Sequence, residues 1–294
     1  MPLFQVDAFT DVPFSGNPAA VYVAPAFPAD TWMQNLAAEM NLSETAFLEP
    51  VSPGTDPARY NLRWFTPTHE VDLCGHATLA AAHAIWAEQA AAANGEASGP
   101  DAILFETASG RMKATRDEKR SIVLDFPADP PNESDVPAGL LDALGITDTV
   151  FTGRGDRDIL IQLSDPDAVR SLAPDMTTLA TFDTRGVVVT APTDRASERH
   201  GETSEPDADF VSRFFGPAVG VPEDPVTGSA HCSLGPYWAK RLGRKVLTGR
   251  QVSSRGGTVG VDVRNKGRVL LSGTAVTIFR GELRVGNGEL RVEN

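Results

Sequence analysis

Alternating hydrophobic and polar positions at the start of the chain predict two short strands joined by a turn. The strands are expected at residues 4–9 and 19–23, with Ser-Gly-Asn-Pro at 15–18 as the turn. Apolar residues then recur at the i, i+3, i+4 spacing over 32–40, which predicts an amphipathic helix capped by Asp30. Further strands are predicted at 46–48, 60–65, 103–105, 110–115 and 121–126.

One local pattern occurs twice, each time before an apolar run. Residues 72–78 read Asp-Leu-Cys-Gly-His-Ala-Thr, and residues 223–230 read Glu-Asp-Pro-Val-Thr-Gly-Ser-Ala. Glycine permits a tight turn, and serine caps the first free N–H groups of a helix. Both stretches therefore predict a helix start, with Ser229 as the cap of the second helix.

The second half of the chain repeats the order of the first over about 130 residues, which is too long for a solenoid unit. We therefore predict an α+β fold of two pseudo-symmetric lobes, each a curved, mostly antiparallel sheet or barrel around a central helix. The lobes are placed at 1–127 and 128–294, and the last strand is free to pack back on the first lobe. A linker is expected at 127–137 and a solvated loop at 193–207.

Composition narrows the class of protein. The 294 residues suit two domains, and 41% apolar residues suffice for their cores. A net charge of −13 argues against nucleic acid or an anionic membrane as partner. Two cysteines give no disulfide framework, the N-terminus resembles no signal peptide, and the most apolar helix, at 77–93, is too interrupted by polar residues to span a bilayer. We expect a cytoplasmic protein.

Two helix starts that face each other across a cleft between the lobes would hold an anion. Their free N–H groups and partial positive charge suit a carboxylate or a developing enolate. Proton transfer also needs a titratable group near the reacting carbon. Neither Arg185 nor Gly186, where the repeat would place a counterpart of Glu44, is an acid, which suits a single proton shuttle. The candidates are Glu44, His76, Asp224, Glu223, Cys74 and Asp72.

Four motifs in the same order resemble the PhzF-like (phenazine biosynthesis-like) family, within the diaminopimelate epimerase-like fold. The resemblance implies no cofactor, a homodimer, and isomerase chemistry by general acid/base catalysis. The family's name-giving member isomerises a dihydro-hydroxyanthranilate. The matching residues are Asp7-Ala8-Phe9-Thr10 with Gly16-Asn17-Pro18, Ser43-Glu44-Thr45, Phe65-Thr66-Pro67 with Cys74-Gly75-His76-Ala77-Thr78, and Glu223 to Ala230.

The resemblance also assigns site residues, and none of them is a metal ligand. Glu44 resembles the family's proton-shuttling glutamate, and an apolar cleft would give it the raised pKa that a shuttle near neutral pH needs. Each of the others also fits a structural role as a helix cap, a helix-dipole acid or a turn residue. The assignment is catalysis by Glu44, Asp224 and His76, and substrate binding by Ser229, Gly75, Gly228 and Asn17.

Other kinds of protein fit parts of the pattern. The related racemases and epimerases use two opposed cysteines, and Cys74 resembles the first, but Pro225 stands at the second position and Cys232 lies inside the helix. Cys74 would then be a small buried residue beside the site. Cys74, His76, His231 and Cys232 are of the types that zinc binds, at spacings of no known zinc module. A non-catalytic paralogue that binds an acidic metabolite is the last alternative.

The sequence therefore predicts a cofactor-independent isomerase. Its substrate would be a small acidic metabolite, within which a proton moves between carbons. Glu44 would act first as general base and then as general acid, while His76 and Asp224 position and polarise the substrate.

Overall fold

The computed structural model of the chain describes four stretches, namely 1–92, 100–193, 208–264 and 267–283. The polar loop predicted at 193–207 lies almost entirely outside these described residues. Within the described stretches, no helix combines the length and the apolar character needed to cross a membrane.

The described residues pack as two compact units. The sequence predicts a lobe boundary between residues 127 and 128. The last strand is found in unit 1. Unit 1 comprises Met1–Phe14, Pro18–Leu124 and Thr274–Asn294, and unit 2 comprises Ser15–Asn17 and Asp125–Gly273.

Unit 1 is a mostly antiparallel sheet with two helices. Its strands are β1 (Pro2–Ala8), β2 (Asn17–Val23), β3 (Glu44–Ser52), β4 (Ala58–Phe65), β5 (Glu70–Val71), β6 (Ala102–Thr107), β7 (Gly110–Arg116) and β8 (Ile122–Pro127), and the chain's last strand, β17 (Ala275–Glu282). Its helices are α1 (Asp30–Met40) and α2 (Gly75–Ala92). The strands β2 and β3 are parallel, β3 and β4 antiparallel, β4 and β6 parallel, and β6, β7 and β8 successively antiparallel. β17 pairs antiparallel with β1.

Unit 2 repeats this order of pairings. Its strands are β9 (Asn132–Glu133), β10 (Phe151–Arg154), β11 (Asp158–Gln162), β12 (Gly186–Pro192), β13 (Phe210–Phe215), β14 (Val246–Gln251), β15 (Gly257–Arg264) and β16 (Arg268–Gly273). Its helices are α3 (Leu140–Leu144), α4 (Pro166–Arg170), α5 (Met176–Leu179) and α6 (Gly228–Leu242), with a 3₁₀ turn at Pro217–Val219. From β11 to β16 the pairings run parallel, antiparallel, parallel, antiparallel, antiparallel, as they do from β2 to β8. The predicted α+β fold with an internal repeat is confirmed, and the short strand β9 lies within the stretch predicted as a linker.

Helix α2 is the central helix of unit 1. Residues 76–82 and 84–86 are buried, and the helix contacts β1, β3 and β17. A helix that is apolar on all sides is stable only inside a core. The first turn of α2 is therefore buried together with the rest of the helix.

Helix α6 takes the same place in unit 2, against β14, β15 and β16. Trp238 is buried, stacks on Phe210 at a centroid distance of 5.8 Å and donates its indole N–H to Thr190 Oγ1 at 3.0 Å. Close approach of the helix to β15 needs a glycine at position 235, because a Cβ there would lie 2.6 Å from Val261 Cγ1. Helix α6 thus packs on its sheet through the large side chain of Trp238, and the lack of a side chain at Gly235 permits the close approach.

Two predicted helix caps are wrong. The N-cap of α1 is Ala29, and the carboxylate of Asp30 instead lies 2.7 Å from the guanidinium of Arg63. The N-cap of α6 is Thr227, so Ser229 lies inside the first turn and does not cap it. In both cases the N-cap lies one or two residues before the polar residue that the sequence pattern favours.

Substitution of Gly235 by alanine tests how closely α6 packs. Overpacking of a core costs about 1–3 kcal/mol, whereas alanine in place of glycine favours a helix by about 1 kcal/mol. Because Val261 is buried and has little room to move, we expect Gly235→Ala to lower the free energy of unfolding by about 1 kcal/mol. Urea denaturation followed by circular dichroism measures this difference.

The matched control is Gly54→Ala, since a Cβ at Gly54 meets nothing within 4 Å. That variant should stay within about 0.5 kcal/mol of the wild type. A stabilised Gly235→Ala protein would show that the helix and β15 are less closely packed than described.

Candidate active site

The first group of candidate residues lies where β3 and α2 begin. Glu44 is the first residue of β3, and His76 is the second residue of α2. His76 Nε2 lies 3.2 Å from Glu44 Oε2, and the side chain of Glu44 is 18% exposed. Burial lowers the pKa of His76 to about 3, so its imidazole is neutral at physiological pH. The structure thus brings together two of the three predicted catalytic residues.

Cys74 lies on the other edge of the same imidazole ring. Its Sγ is 3.6 Å from His76 Nδ1, and the ligand atoms of Glu44, Cys74 and His76 all lie within 4.8 Å of one another. A zinc ion binds one ring nitrogen at about 2.0–2.1 Å. The thiol faces Nδ1 and the carboxylate faces Nε2, so the two contacts use different nitrogens of the ring, whereas a single metal ion would bind only one of them.

The second group surrounds Asp224 in unit 2. Asn17 Nδ2 donates to Asp224 Oδ1 at 2.8 Å and also to Val226 O at 2.9 Å. Thr227 Oγ1 donates to Asp224 Oδ2 at 2.6 Å. Burial raises the pKa of Asp224 to about 6, although both hydrogen bonds and the nearby Arg185 favour the ionised form. Asp224 therefore changes charge close to neutral pH.

Gln251, at the end of β14, holds the turn that carries Asp224. Its buried amide accepts from Thr227 N at 2.9 Å and donates to Asp224 O at 2.7 Å and to Thr227 Oγ1 at 3.2 Å. Since Thr227 Oγ1 accepts this bond, its own proton is directed at the carboxylate of Asp224. Gln251, Thr227 and Asp224 thus form a chain of hydrogen bonds with a fixed direction.

The repeat allows the two units to be compared position by position. Glu44 pairs with Ala19 across the parallel strands β2 and β3, and Gly186 pairs with Asp158 across β11 and β12. Gly186 is therefore the counterpart of Glu44. A Cβ at Gly186 would lie 2.2 Å from the ring of Phe214, so an acid does not fit there. The absence of an acid at this position of unit 2 therefore has a steric cause.

Arg185 precedes Gly186, so unit 2 carries a cation one residue before the position at which unit 1 carries the acid. Its Nε donates to Asp158 Oδ1 at 2.9 Å, its Nη2 contacts Asp158 Oδ2, and Nη2 also donates to Ser229 Oγ at 2.9 Å. Its guanidinium lies 5.3 Å from the ring centroid of Phe214. Asp158 is buried, and burial raises its pKa while Arg185 opposes that shift.

The remaining predicted residues are the four that are expected to bind substrate. Gly75 and Gly228 are the first residues of α2 and α6. Ser229 accepts a hydrogen bond from Arg185, and buried Asn17 contacts Asp224. All seven predicted site residues therefore lie at the starts of β2, β3, α2 and α6 or in the turn before α6. Their functional roles stay predictions.

The structure also bears on the two-thiol and zinc alternatives. Counting back from the helix starts places Thr227 opposite Cys74, and neither Thr227 nor Pro225 carries a thiol. Cys232 is buried within α6, and burial raises its pKa to about 12, which keeps it protonated. Its neighbour His231 is buried and bonds through Nδ1 to Thr227 O at 2.8 Å.

Four residues of this region are absent from the sequence prediction. They are Arg185 as a side chain in its own right, Asp158, Thr227 and Gln251. Arg185 precedes Gly186, the position that the repeat aligns with Glu44, so the sequence alone could have indicated a role for its charge. Asp158 and Gln251 come from strand ends 27 and 24 residues away from their partners, and no local pattern indicates them. Thr227 lies three residues from Asp224, within the motif at 223–230.

Comparison with known proteins groups the chain with a single family. A family model described as phenazine biosynthesis-like protein matches residues 6–281. A protein of Halalkalibacterium halodurans named an uncharacterized isomerase is 45% identical over 283 residues, which cover 96% of this chain and 98% of the relative.

Solved structures give the same grouping. A phenazine biosynthesis protein of the PhzF family from Enterococcus faecalis superposes with a TM-score of 0.83 at 40% identity, covering 97% of this chain and 99% of that one. A structure titled as a predicted epimerase from Pseudomonas aeruginosa has a TM-score of 0.70 at 20% identity, covering 97% and 99%, and shows the fold alone. The predicted diaminopimelate epimerase-like fold is confirmed.

Removal of the Thr227 hydroxyl tests the hydrogen-bond chain to Asp224. In Thr227→Val the ionised carboxylate loses one donor, so the pKa of Asp224 should rise above its value of about 6. Carbon-detected NMR titration of the aspartate carboxyl groups measures the shift.

Thr227→Ser is the matched control, because it keeps the hydroxyl and should leave the titration near that of the wild type. An unchanged Asp224 titration in Thr227→Val would contradict the stabilising role of this bond.

Proposed function

The chain belongs to the phenazine biosynthesis-like family, and we propose that it is a cofactor-independent isomerase of small carboxylate-bearing substrates. It would move a proton between two carbons of the substrate by general acid/base catalysis. Membership of a family of isomerases and epimerases supports the reaction class. The substrate itself is left open, since one fold hosts many chemistries.

The contact between Glu44 and His76 carries this proposal. A carboxyl group next to a buried, neutral imidazole is suited to general acid/base catalysis. We assign the proton of His76 to Nε2, where it donates to Glu44 Oε2. Oε1 of Glu44 is then the oxygen that removes the proton from substrate carbon and later returns it to another carbon.

Asp224 is proposed as the second catalytic residue. Its pKa of about 6 lets it hold a proton below neutral pH and release it above. An acid of this kind positions and polarises a polar group of the substrate by accepting or donating a hydrogen bond. Ser229 and the N–H groups after Gly75 and Gly228 would hold the substrate's acidic end.

The rival functions have less support. A two-thiol racemase needs a second reactive thiol, and the thiol of Cys232 is buried within α6 with a pKa raised to about 12. A binding protein for an acidic metabolite would gain nothing from two additional carboxyl groups near its ligand. The predicted inter-lobe cleft, the homodimer and the cytoplasmic location remain proposals that accompany the isomerase assignment.

Replacement of the proposed base tests the function directly. Glu44→Gln removes the proton acceptor while keeping the shape of the side chain, so hydrogen–deuterium exchange into substrate carbon should fall at least about 100-fold. The assay is NMR-detected exchange from deuterated solvent into a panel of small amino and hydroxy acids.

Cys74→Ser serves as the matched control, because it alters the other neighbour of the same imidazole ring. We expect it to keep exchange within about tenfold of the wild type. Loss of exchange in Cys74→Ser together with normal exchange in Glu44→Gln would instead support thiol chemistry. A wild-type protein that exchanges no member of the panel would favour the binding protein.

A further inference from the structure

We propose that Arg185 of unit 2 binds the carboxylate group of the substrate. This inference rests on the proposed function, and it specifies which residue recognises the substrate's charge. It gives the side chain of Arg185 a role that the sequence prediction lacks.

The internal repeat gives the two units different charges near the start of the second strand of the parallel pair. Unit 1 carries Glu44 there, whereas unit 2 carries Gly186 at the matching position and Arg185 one residue before it. The helix-start partners correspond as well, since Glu44 lies next to His76 and Arg185 lies next to Ser229. One topology therefore carries an acid with a neutral imidazole in one unit and a cation with a hydroxyl in the other.

The cation is held in place by a buried acid. Asp158 contacts Arg185 through both carboxylate oxygens and is itself buried on β11. The ring of Phe214 lies beside the guanidinium. Fixing a long side chain in this way removes most of the entropy that it would otherwise lose on binding a ligand. The Arg185 side chain nevertheless keeps 32% of its surface exposed, as a binding group must.

The bond to Ser229 has a direction that favours an anion. Arg185 Nη2 donates to Ser229 Oγ, so the serine proton stays available for another acceptor. A guanidinium and a hydroxyl that both donate match the oxygens of a carboxylate, which only accept. Arginine remains charged at every physiological pH, so this recognition does not depend on the protonation of a neighbour.

The charges near Arg185 explain why a cation is needed there. Asp158 neutralises it on one side, and Asp224 and Glu223 are further acids of the same unit, with Asp224 close enough to be influenced by Arg185. Glu223 is paired with Arg213 at 2.7 Å. A substrate carboxylate that approaches Ser229 would meet unfavourable charge if Arg185 were absent.

The test uses malonate as an anionic probe and malonamide as its uncharged match, with binding measured by titration calorimetry at pH 7.5. Wild-type protein should bind malonate in preference to malonamide. Arg185→Met should weaken malonate binding about tenfold to a hundredfold, as expected for loss of a charged hydrogen bond, and should leave malonamide unaffected. Arg185→Lys keeps the charge and should lie between the two.

A double variant separates recognition from stability. Arg185→Met leaves Asp158 buried without its cation, whereas Asp158→Asn with Arg185→Met removes both charges and should restore the thermal stability. If Arg185 binds the anion, the double variant still binds malonate weakly. Recovery of malonate binding in the double variant would overturn the proposal, and so would a wild-type protein that does not distinguish malonate from malonamide.

These outcomes are independent of turnover. Failure of the isomerase proposal would appear as absent deuterium exchange, whereas failure of the Arg185 proposal would appear as unchanged malonate affinity in Arg185→Met.

Discussion

Burial of the helix starts is the constraint on which the rest of the site depends. Helix α2 is buried over residues 76–82 and 84–86, so this part of the helix lies in the core of unit 1. Its first turn is buried with it, and His76 in that turn must be neutral because an imidazolium there would be poorly solvated. A neutral imidazole thus lies 3.2 Å from the carboxyl group of Glu44.

The same constraint has a different solution in unit 2. Asp158 is buried on a strand and keeps its charge through the guanidinium of Arg185. Asp224 has no ion pair with a described residue and is stabilised by hydrogen bonds from Asn17 and Thr227. One acid is therefore fixed as part of a charge pair, while the other stays titratable. The difference follows from whether the buried carboxylate meets a cation or neutral donors.

Much of the fold can be read from the sequence, because hydrophobic periodicity and the repeated helix starts are local signals. The exact first residue of each helix cannot, and the Ser229 cap is wrong for that reason, since polar residues on both sides of a boundary give the same pattern. The contact of Glu44 with His76 was expected only through the family resemblance. The pairing of Arg185 with Asp158 depends on strand register across 27 residues, which a propensity argument does not give.

The buried aspartate Asp224 and the buried histidines His76 and His231 act on stability in opposite directions as the pH changes. Asp224 has a pKa raised from 3.8 to about 6, so its contribution is fully present below pH 3.8 and is lost as the pH rises through 6. His76 and His231 have pKa values lowered from 6.5 to about 3 and about 4, so their contributions are present above pH 6.5 and are lost as the pH falls. Between pH 4 and 6, a rise in pH therefore removes the stabilising contribution of Asp224 while it restores those of His76 and His231. The protonation of Asp224 thus offsets part of the acid destabilisation that the buried imidazoles impose, and a titratable carboxyl group is compatible with a stable site in this pH range.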